Sequence, residues 1–142
     1  MKRILTISLA LAFLTAASSA AWAKSECPQP RKTPSAPGNF TNMDKTSSAN
    51  ASNGEKLYQK TSKPMACAMC HGQKGDGMGK LGSGLKPKPR DFTCADTMKN
   101  VSAGQMYWII KNGSKGTPMT PQKLNDGEIW DVVKYIRESW VK

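Results

Sequence analysis

Cys67-Ala68-Met69-Cys70-His71 is the stretch of this 142-residue sequence that decides how the chain folds. Two cysteines three positions apart, with a histidine directly after them, form the C-x-x-C-H haem-attachment motif. In this motif both thiols add to the porphyrin vinyl groups, and the neighbouring imidazole reaches the iron. His71 is the only histidine in the chain. We therefore predict one covalent haem c, attached through Cys67 and Cys70, with His71 as an iron ligand.

Three other kinds of site also use paired cysteines. A zinc site would need Cys67, Cys70, His71 and Cys94, but the side chains of adjacent residues 70 and 71 diverge. A redox dithiol would need the strand and helix of a thioredoxin-like α/β fold, and no strand pattern is present. A structural disulfide between Cys67 and Cys70 leaves His71 without a role. Haem attachment explains the residues better than these alternatives.

The sixth iron ligand is expected to be a methionine, because no second histidine is available and the remaining choices are lysine, water or no ligand. Met119 lies within residues 113–121, a stretch without helical periodicity that two prolines stiffen and that is far enough along the chain to reach the other haem face. We predict Met119 as this ligand; the alternative is a methionine that packs in a turn. The other methionines fall beside the motif, in the N-terminal segment or in helical stretches: Met43, Met65, Met69, Met78, Met98 and Met106.

An export signal is predicted at the N-terminus. Lys2 and Arg3 precede an apolar run over residues 4–13, and small residues then lead to an A-x-A sequence that ends at Ala23. This order is typical of a signal peptide over residues 1–23, which would export the chain to the periplasm. An uncleaved membrane anchor is the alternative, although several Ser and Thr residues dilute the apolar run.

Cleavage of the signal would leave 119 residues, the size of one small domain. The first part of this chain, residues 24–50, carries four prolines among polar and charged residues, and Phe40 is its only aromatic side chain. Such a composition buries too little apolar surface to order a segment by itself. We therefore predict a flexible tail over residues 24–50 and one folded domain over residues 51–142.

The domain is predicted to be all-α, because three stretches have helical periodicity and no segment alternates long enough for a strand. Gly54 lies on the apolar face of the first helix, where it would let another helix approach closely. At about 90 residues, such a domain has a thin core and needs a staple, metal or cofactor. The predicted helix starts are Ser52 with Glu55, Ser102 with Gln105, and Asn125 with Glu128, and Asn112-Gly113 is the predicted end of the second helix.

The chain is strongly basic, with 21 Lys and Arg against 10 Asp and Glu and a formal net charge of +11. Removal of the signal leaves +9. Nucleic acid is not an expected partner, because the lysines are spread along the chain without an Arg-rich cluster or an aromatic platform. Attraction to a protein with an acidic docking surface fits an exported chain better; a surface that is basic only for solubility is the alternative.

Taken in chain order, these residues resemble the class I c-type cytochromes, and more closely a small bacterial monohaem branch with a Lys-Pro-Arg-Asp-Phe element, here residues 88–92. The resemblance covers residues 52–142. It implies a class I cytochrome c fold, in which a few helices wrap round one haem c with His71 and Met119 as axial ligands. It also implies that the first and last helices cross and that Arg90 and Trp108 lie near the haem propionates. Further matching positions are Gly54, Tyr58, Gly75-Asp76-Gly77 and residues 129–136.

The sequence departs from the family pattern in three places. Residues 61–66 look like an insertion before the motif, and Met78 stands where relatives often have a proline. Cys27 and Cys94 are extra cysteines, and in an oxidising compartment they could pair and tie the N-terminal segment to the domain. The alternatives are an intermolecular bridge through Cys27 and a buried, inert Cys94. A lipid anchor on Cys27 is not favoured by the residues before it.

An iron with both axial positions filled by the protein has no vacancy for a substrate. The expected function is therefore a monomeric, periplasmic one-electron carrier that is not an enzyme. Expected partners are redox proteins with acidic surfaces, including membrane-bound respiratory complexes. One alternative is a haem c subunit or docking domain of a respiratory oxidase, reductase or dehydrogenase complex; a less favoured one is a haem-based small-ligand binder. The candidate docking lysines are Lys74, Lys80, Lys86 and Lys88.

Overall fold

The computed structural model describes residues 26–142, and every regular element within that range is helical. The all-α fold class is thus confirmed. The signal peptide predicted for residues 1–23 lies outside the described residues. A π-helical turn over Leu57–Thr61 directly follows the α-helix Ala51–Lys56, and short 3-10 turns cover Thr46–Ser48 and Gly82–Gly84. The α-helices are α1 Gly38–Thr41, α2 Ala51–Lys56, α3 Ala68–His71, α4 Ala95–Met98, α5 Ala103–Asn112 and α6 Asp126–Trp140.

None of the helices between residues 26 and 142 combines the length and the apolar character that crossing a bilayer requires.

Helices α2 and α6 cross at Gly54. A Cβ atom at this position would collide with the backbone carbonyl of Asp131 on α6, so only glycine permits the close approach. The Asp131 carboxylate secures the crossing, because it accepts hydrogen bonds from the Asn50 N–H at 2.6 Å and from Asn53 Nδ2 at 2.8 Å. The predicted helix approach at Gly54 is confirmed.

The core lies between α6 and the helices that pack on it. Ile129, Val132, Val133 and Ile136 form the apolar stripe of α6 and are at most 2% exposed. Burial of each such side chain contributes about 1.5–3 kcal/mol of hydrophobic stabilisation. On the α5 side, the Tyr107 and Trp130 rings stack with their centroids 4.7 Å apart.

Two of the three predicted helix starts are confirmed. Ser102 accepts from the Gln105 N–H at the start of α5, and Asn125 and Glu128 form a complete capping box at the start of α6. Gly113 ends α5 with a φ of 74°, as expected for a glycine stop.

The predicted start of the first helix is wrong. Asn50, not Ser52, is the N-cap of α2, and its side chain accepts from the Asn53 N–H at 3.1 Å. Ser and Asn both favour this position. Asn50 occupies it because its own N–H is bound by Asp131 of α6, a contact between residues distant in sequence.

The N-terminal segment differs from the flexible tail predicted for residues 24–50. Residues 27–43, here called the N-terminal strap, lie against the domain. Ala36 is buried, and the Phe40 ring stacks on Tyr107 with centroids 6.2 Å apart. Gln105 of α5 accepts from the Ala36 N–H at 2.6 Å and donates to the Pro34 carbonyl at 3.0 Å. Composition failed to predict this order because it rests mainly on hydrogen bonds and a disulfide.

A disulfide joins Cys27 of the strap to Cys94, with Cα atoms 5.6 Å apart and the two residues 67 positions apart in sequence. The hypothesis that the extra cysteines pair is confirmed. Because the bridge closes a long loop, it restricts the unfolded chain and stabilises the folded protein by about 4 kcal/mol.

We expect Cys27→Ser to lower the free energy of unfolding by most of that about 4 kcal/mol. Cys27 is exposed, so its sulfur contributes little except the bridge. The measurement is guanidinium unfolding of the wild type, both single serine variants and the double variant. The double variant should be less stable than Cys27→Ser, because Cys94 is 3% exposed and a serine there buries a hydroxyl. Unchanged stability of Cys27→Ser would contradict a stabilising bridge.

Candidate functional site

The motif residues lie on one helical turn. The N–H groups of Cys70 and His71 both donate to the Cys67 carbonyl, at 3.2 and 2.9 Å, and α3 continues this turn to His71. Cys67 and Cys70 are free thiols of intermediate exposure, in contrast to the bridged pair. The turn therefore presents two available sulfurs next to the imidazole, in the order that the motif predicts.

The two thiols do not have the acidity of a redox dithiol. Burial raises the pKa of Cys67 to about 11, and it also raises the pKa of Cys70 above its ordinary value. The Cys67 thiol donates to Ser62 Oγ at 3.8 Å. Reactive dithiols need a lowered pKa, because the thiolate is the nucleophile. These thiols are protonated at neutral pH, which does not support the redox-dithiol alternative.

The zinc alternative lacks its fourth ligand, because Cys94 is held in the disulfide. In the part of the chain that the structure covers, no three His, Cys, Asp or Glu side chains group closely enough to hold a metal ion between them. A site that uses His71 as a metal ligand therefore needs partners of another kind.

The His71 ring is oriented by a backbone carbonyl. Its Nδ1 lies 3.0 Å from the Arg90 carbonyl oxygen, which can only accept, so Nδ1 carries the proton and donates. This tautomer leaves Nε2 with a free lone pair for a metal. Burial lowers the pKa of His71, which keeps the ring neutral. The sequence does not indicate which group accepts this proton.

Phe92 supports the imidazole from the side and was not assigned this role by sequence reasoning. Its ring stacks on His71 with centroids 4.8 Å apart and planes 16° apart, and Trp140 stacks behind it at 6.2 Å. The Phe92 N–H donates to the Gly75 carbonyl at 2.7 Å. Gly75 has a φ of 70°, and the Trp140 ring fills the space where a side chain would be. The C-terminal helix thereby reaches the His71 ring through Phe92.

Tyr58 ties the first helical segment to the loop after the motif. Its hydroxyl donates to the Gly72 carbonyl at 2.8 Å, and its ring lies 5.5 Å from Tyr135 of α6. Burial raises the pKa of Tyr58, so the hydroxyl remains a donor throughout the ordinary pH range. The first helical segment and α6 therefore meet at these two rings, and the family resemblance implied that the first and last helices cross.

Met119 lies in a tight loop after α5. The Ser114 N–H donates to the Met119 carbonyl at 2.9 Å, and the Met119 N–H donates to Thr117 Oγ1 at 3.1 Å. The side chain is half-buried and packs against the core. The loop thus fixes the backbone on both sides of the thioether.

The loop that carries Met119 is joined to the segment that precedes the motif. The Lys123 N–H donates to the Lys63 carbonyl at 2.8 Å, and the Gln122 N–H donates to the Ile110 carbonyl at 3.0 Å. Residues 61–66, which looked like an insertion, therefore contact this loop. The structure brings Cys67, Cys70 and His71 together on one turn and links the Met119 loop to their segment.

Arg90, which the family resemblance implies near the haem propionates, is also hydrogen-bonded to the N-terminal strap. Its guanidinium is half-buried against the N-terminal strap, where it donates to the Arg31 carbonyl at 3.2 Å and to Thr33 Oγ1 at 2.5 Å. The Arg90 guanidinium is thus hydrogen-bonded to the strap, and the Arg90 backbone carbonyl accepts the hydrogen bond from His71 Nδ1. Trp108, the other residue expected near the propionates, is half-buried on α5.

The donor set fits a haem c. It consists of two protonated thiols on one turn, an imidazole with Nε2 free, and a thioether on a separate loop. The half-buried Trp108 and Ile109 next to that loop supply apolar surface.

Two comparisons with known proteins agree with this arrangement. The cytochrome c family model matches residues 51–140. Among solved structures, the chain is similar to a chain of a reducing HAO-like protein complex from Kuenenia stuttgartiensis, with a TM-score of 0.53 and 25% sequence identity. The match covers 64% of this chain and 43% of the other, so this chain spans less than half of that protein.

Proposed function

This chain belongs to the cytochrome c family, and on that basis we propose that it is a periplasmic carrier that moves one electron at a time with one covalent haem c. The observation that carries the proposal is the α3 turn, where two free thiols stand beside an imidazole whose Nδ1 is already bound to the Arg90 carbonyl. An imidazole held in this way is prepared to bind iron through Nε2.

Cys67 and Cys70 would hold the cofactor, and His71 Nε2 and the Met119 sulfur would bind its iron. The bound haem iron supplies one-electron chemistry between its ferrous and ferric states. The protein keeps its own groups in place: the Arg90 carbonyl and Phe92 fix the His71 ring, and the hydrogen bonds of Met119 fix its loop. Ligands that do not move leave little to reorganise when an electron is exchanged.

Voltammetry of the purified, exported protein with and without carbon monoxide tests this function. A carrier should give a reversible one-electron wave that carbon monoxide and oxygen leave unchanged, because His71 and Met119 would leave the iron no free position for either gas. A catalytic current with oxygen, or a ferrous spectrum that carbon monoxide changes, would favour the small-ligand binder instead.

The periplasmic location rests on the predicted signal over residues 1–23. The Cys27–Cys94 bridge supports it, because structural disulfides persist in oxidising compartments. N-terminal sequencing of the exported protein should begin at Lys24.

A second candidate function is that of an electron-transfer subunit in a larger complex. The observation that favours it is the similarity to a chain from a protein complex. The strap lies on the domain, so residues 27–43 are not free to tether this chain to a larger complex. Stable co-purification with an oxidase, reductase or dehydrogenase would support this candidate over a free carrier.

The lysines near the motif should steer the electron-transfer partner. Lys74, Lys80, Lys86 and Lys88 are all exposed. We expect their joint replacement by Glu to slow the oxidation of the ferrous protein by hexacyanoferrate(III), an anionic probe, about tenfold at low ionic strength. The effect should fade near 1 M salt, where the Debye length falls to about 3 Å. Stopped-flow absorbance measures the rate.

The matched control carries the same charge change elsewhere, at four other exposed lysines. If it slows the reaction as much as the first variant does, the net charge matters and the predicted docking face is wrong. The control positions are Lys45, Lys56, Lys60 and Lys142.

A further inference from the structure

One side chain of the N-terminal strap, that of Gln29, is hydrogen-bonded to the backbone segment that orients the His71 ring. Gln29 Nε2 donates to the Pro89 carbonyl at 2.9 Å, and Gln29 Oε1 accepts from the Asp91 N–H at 2.9 Å. The amide thus bonds the residues on both sides of Arg90, whose carbonyl accepts the His71 Nδ1–H. The Arg90 carbonyl and the Asp91 N–H belong to one planar peptide unit, so the bond from Asp91 to Gln29 fixes the direction of that carbonyl. The bond from Gln29 to the Pro89 carbonyl holds the peptide unit before it.

We propose that Gln29 is a positioning residue for the proximal haem ligand, acting on His71 through the Arg90 carbonyl. The inference rests on the proposed function, because it requires His71 to bind the iron. It assigns the N-terminal strap a part in setting the redox properties of the site.

The strap is also fixed to the rest of the protein on both sides of Gln29. Two residues before Gln29, Cys27 is bridged to Cys94, and the Gln29 N–H donates to Thr97 Oγ1 at 3.0 Å. The Arg90 guanidinium adds a contact to Gln29 Oε1 at 3.4 Å, beside its bonds to the strap further on. Gln29 cannot drift from residues 89–91 without breaking several of these contacts together.

The expected chemical effect follows from the hydrogen bond at Nδ1. Donation from Nδ1–H to a well-placed carbonyl makes the imidazole a stronger electron donor through Nε2. A stronger donor stabilises ferric iron relative to ferrous iron. If the Arg90 carbonyl loses its fixed direction, the His71 hydrogen bond weakens, and the balance shifts toward the reduced form.

The test compares Gln29→Met with a matched control, Gln105→Met. Both substitutions keep the side-chain length. Each removes two hydrogen bonds between the glutamine amide and backbone groups that join the strap to the rest of the protein. Gln105 bonds the strap at Pro34 and Ala36, away from residues 89–91. Both variants are therefore expected to lose some stability, but only Gln29→Met should act on His71.

We expect Gln29→Met to shift the one-electron equilibrium about threefold toward the ferrous form, about 28 mV at 59 mV per tenfold change. In the ferrous protein, the His71 Nδ1–H should also exchange with solvent faster, as measured by NMR. Gln105→Met should change neither quantity. Gln29→Asn keeps the amide, but its side chain is one methylene too short to make both hydrogen bonds. If Gln29→Met fails to accumulate, Gln29→Asn should show the same changes in the potential and in the exchange rate.

An unchanged potential and an unchanged exchange rate in the Gln29 variants would overturn the proposal. Equal shifts in Gln29→Met and Gln105→Met would also overturn it, because the effect would then belong to strap docking in general. A failure of the proposed function is recognised separately, since the wild-type protein would then lack the spectrum of an iron bound by His71 and Met119.

Discussion

Exported protein in which Cys67 and Cys70 are both replaced by alanine should carry no covalently bound tetrapyrrole. Thioether attachment needs these sulfurs, and the other pair of cysteines is consumed by the disulfide, so no second attachment point is present in residues 26–142. The expected loss is complete, from one haem per chain to none. Intact-mass spectrometry under denaturing conditions, which strips non-covalent haem, measures it.

The same variant should be strongly destabilised, because a domain with so few helices depends on its cofactor for much of its core. The control is the variant with Cys27→Ser and Cys94→Ser, which removes two sulfurs without touching the motif. That variant should retain its haem. Retention of covalent haem in the alanine variant, or its loss in the control, would contradict the assignment of Cys67 and Cys70.

Replacing Met119 by histidine should lower the reduction potential by on the order of 0.2 V, part of the roughly 0.8 V range that axial ligands span. A thioether stabilises ferrous iron better than an imidazole does, so its exchange for histidine favours the ferric state. The loop backbone supports the exchange, because Ser114 and Thr117 hold Met119 through its main chain and not through its side chain. Potentiometric titration followed by absorbance measures the change.

Met119→Leu separates the ligand role from the alternative in which this methionine only packs. Leucine fills nearly the same volume but cannot bind iron, so a packing role predicts little change. A ligand role predicts a high-spin iron that binds carbon monoxide in the reduced state. Met65→Leu, at a methionine that is 43% exposed, should leave the spectrum unchanged.

Helices were predictable from the sequence where local signals decide them. The starts of α5 and α6 depend on Ser102 and Asn125, whose side chains bond within three positions of themselves, and the structure has both. The start of α2 depends on Asp131, which is distant in sequence, and there the prediction of Ser52 was wrong. The crossing at Gly54 was predictable, because a glycine on an apolar helix face has few other uses.

The N-terminal strap could not be predicted from composition. Its order comes from bonds such as Cys27–Cys94 and Gln29–Thr97, which join residues more than 60 positions apart and leave no periodic pattern. A rule that counts apolar residues therefore indicates a tail where the folded chain has a strap. For the same reason, the family resemblance did not indicate that Arg90 would turn toward the strap.

In the candidate site, the residues that act through their side chains were predictable from the sequence. The motif gave Cys67, Cys70 and His71, which lie on one turn. The Arg90 carbonyl had no signal, because every residue has a carbonyl and only the folded loop selects one. Phe92 was visible as an aromatic residue in the matching element, but its stacking on His71 depends on the path of residues 72–91.

We propose that one iron is bound between His71 and Met119, and magnetic circular dichroism of the wild-type protein in both oxidation states is the sharpest test of this ligation. We expect a low-spin spectrum in each state, with the charge-transfer band of a thioether bound to ferric iron. A high-spin spectrum in either state, or a low-spin ferric spectrum without that band, would contradict it.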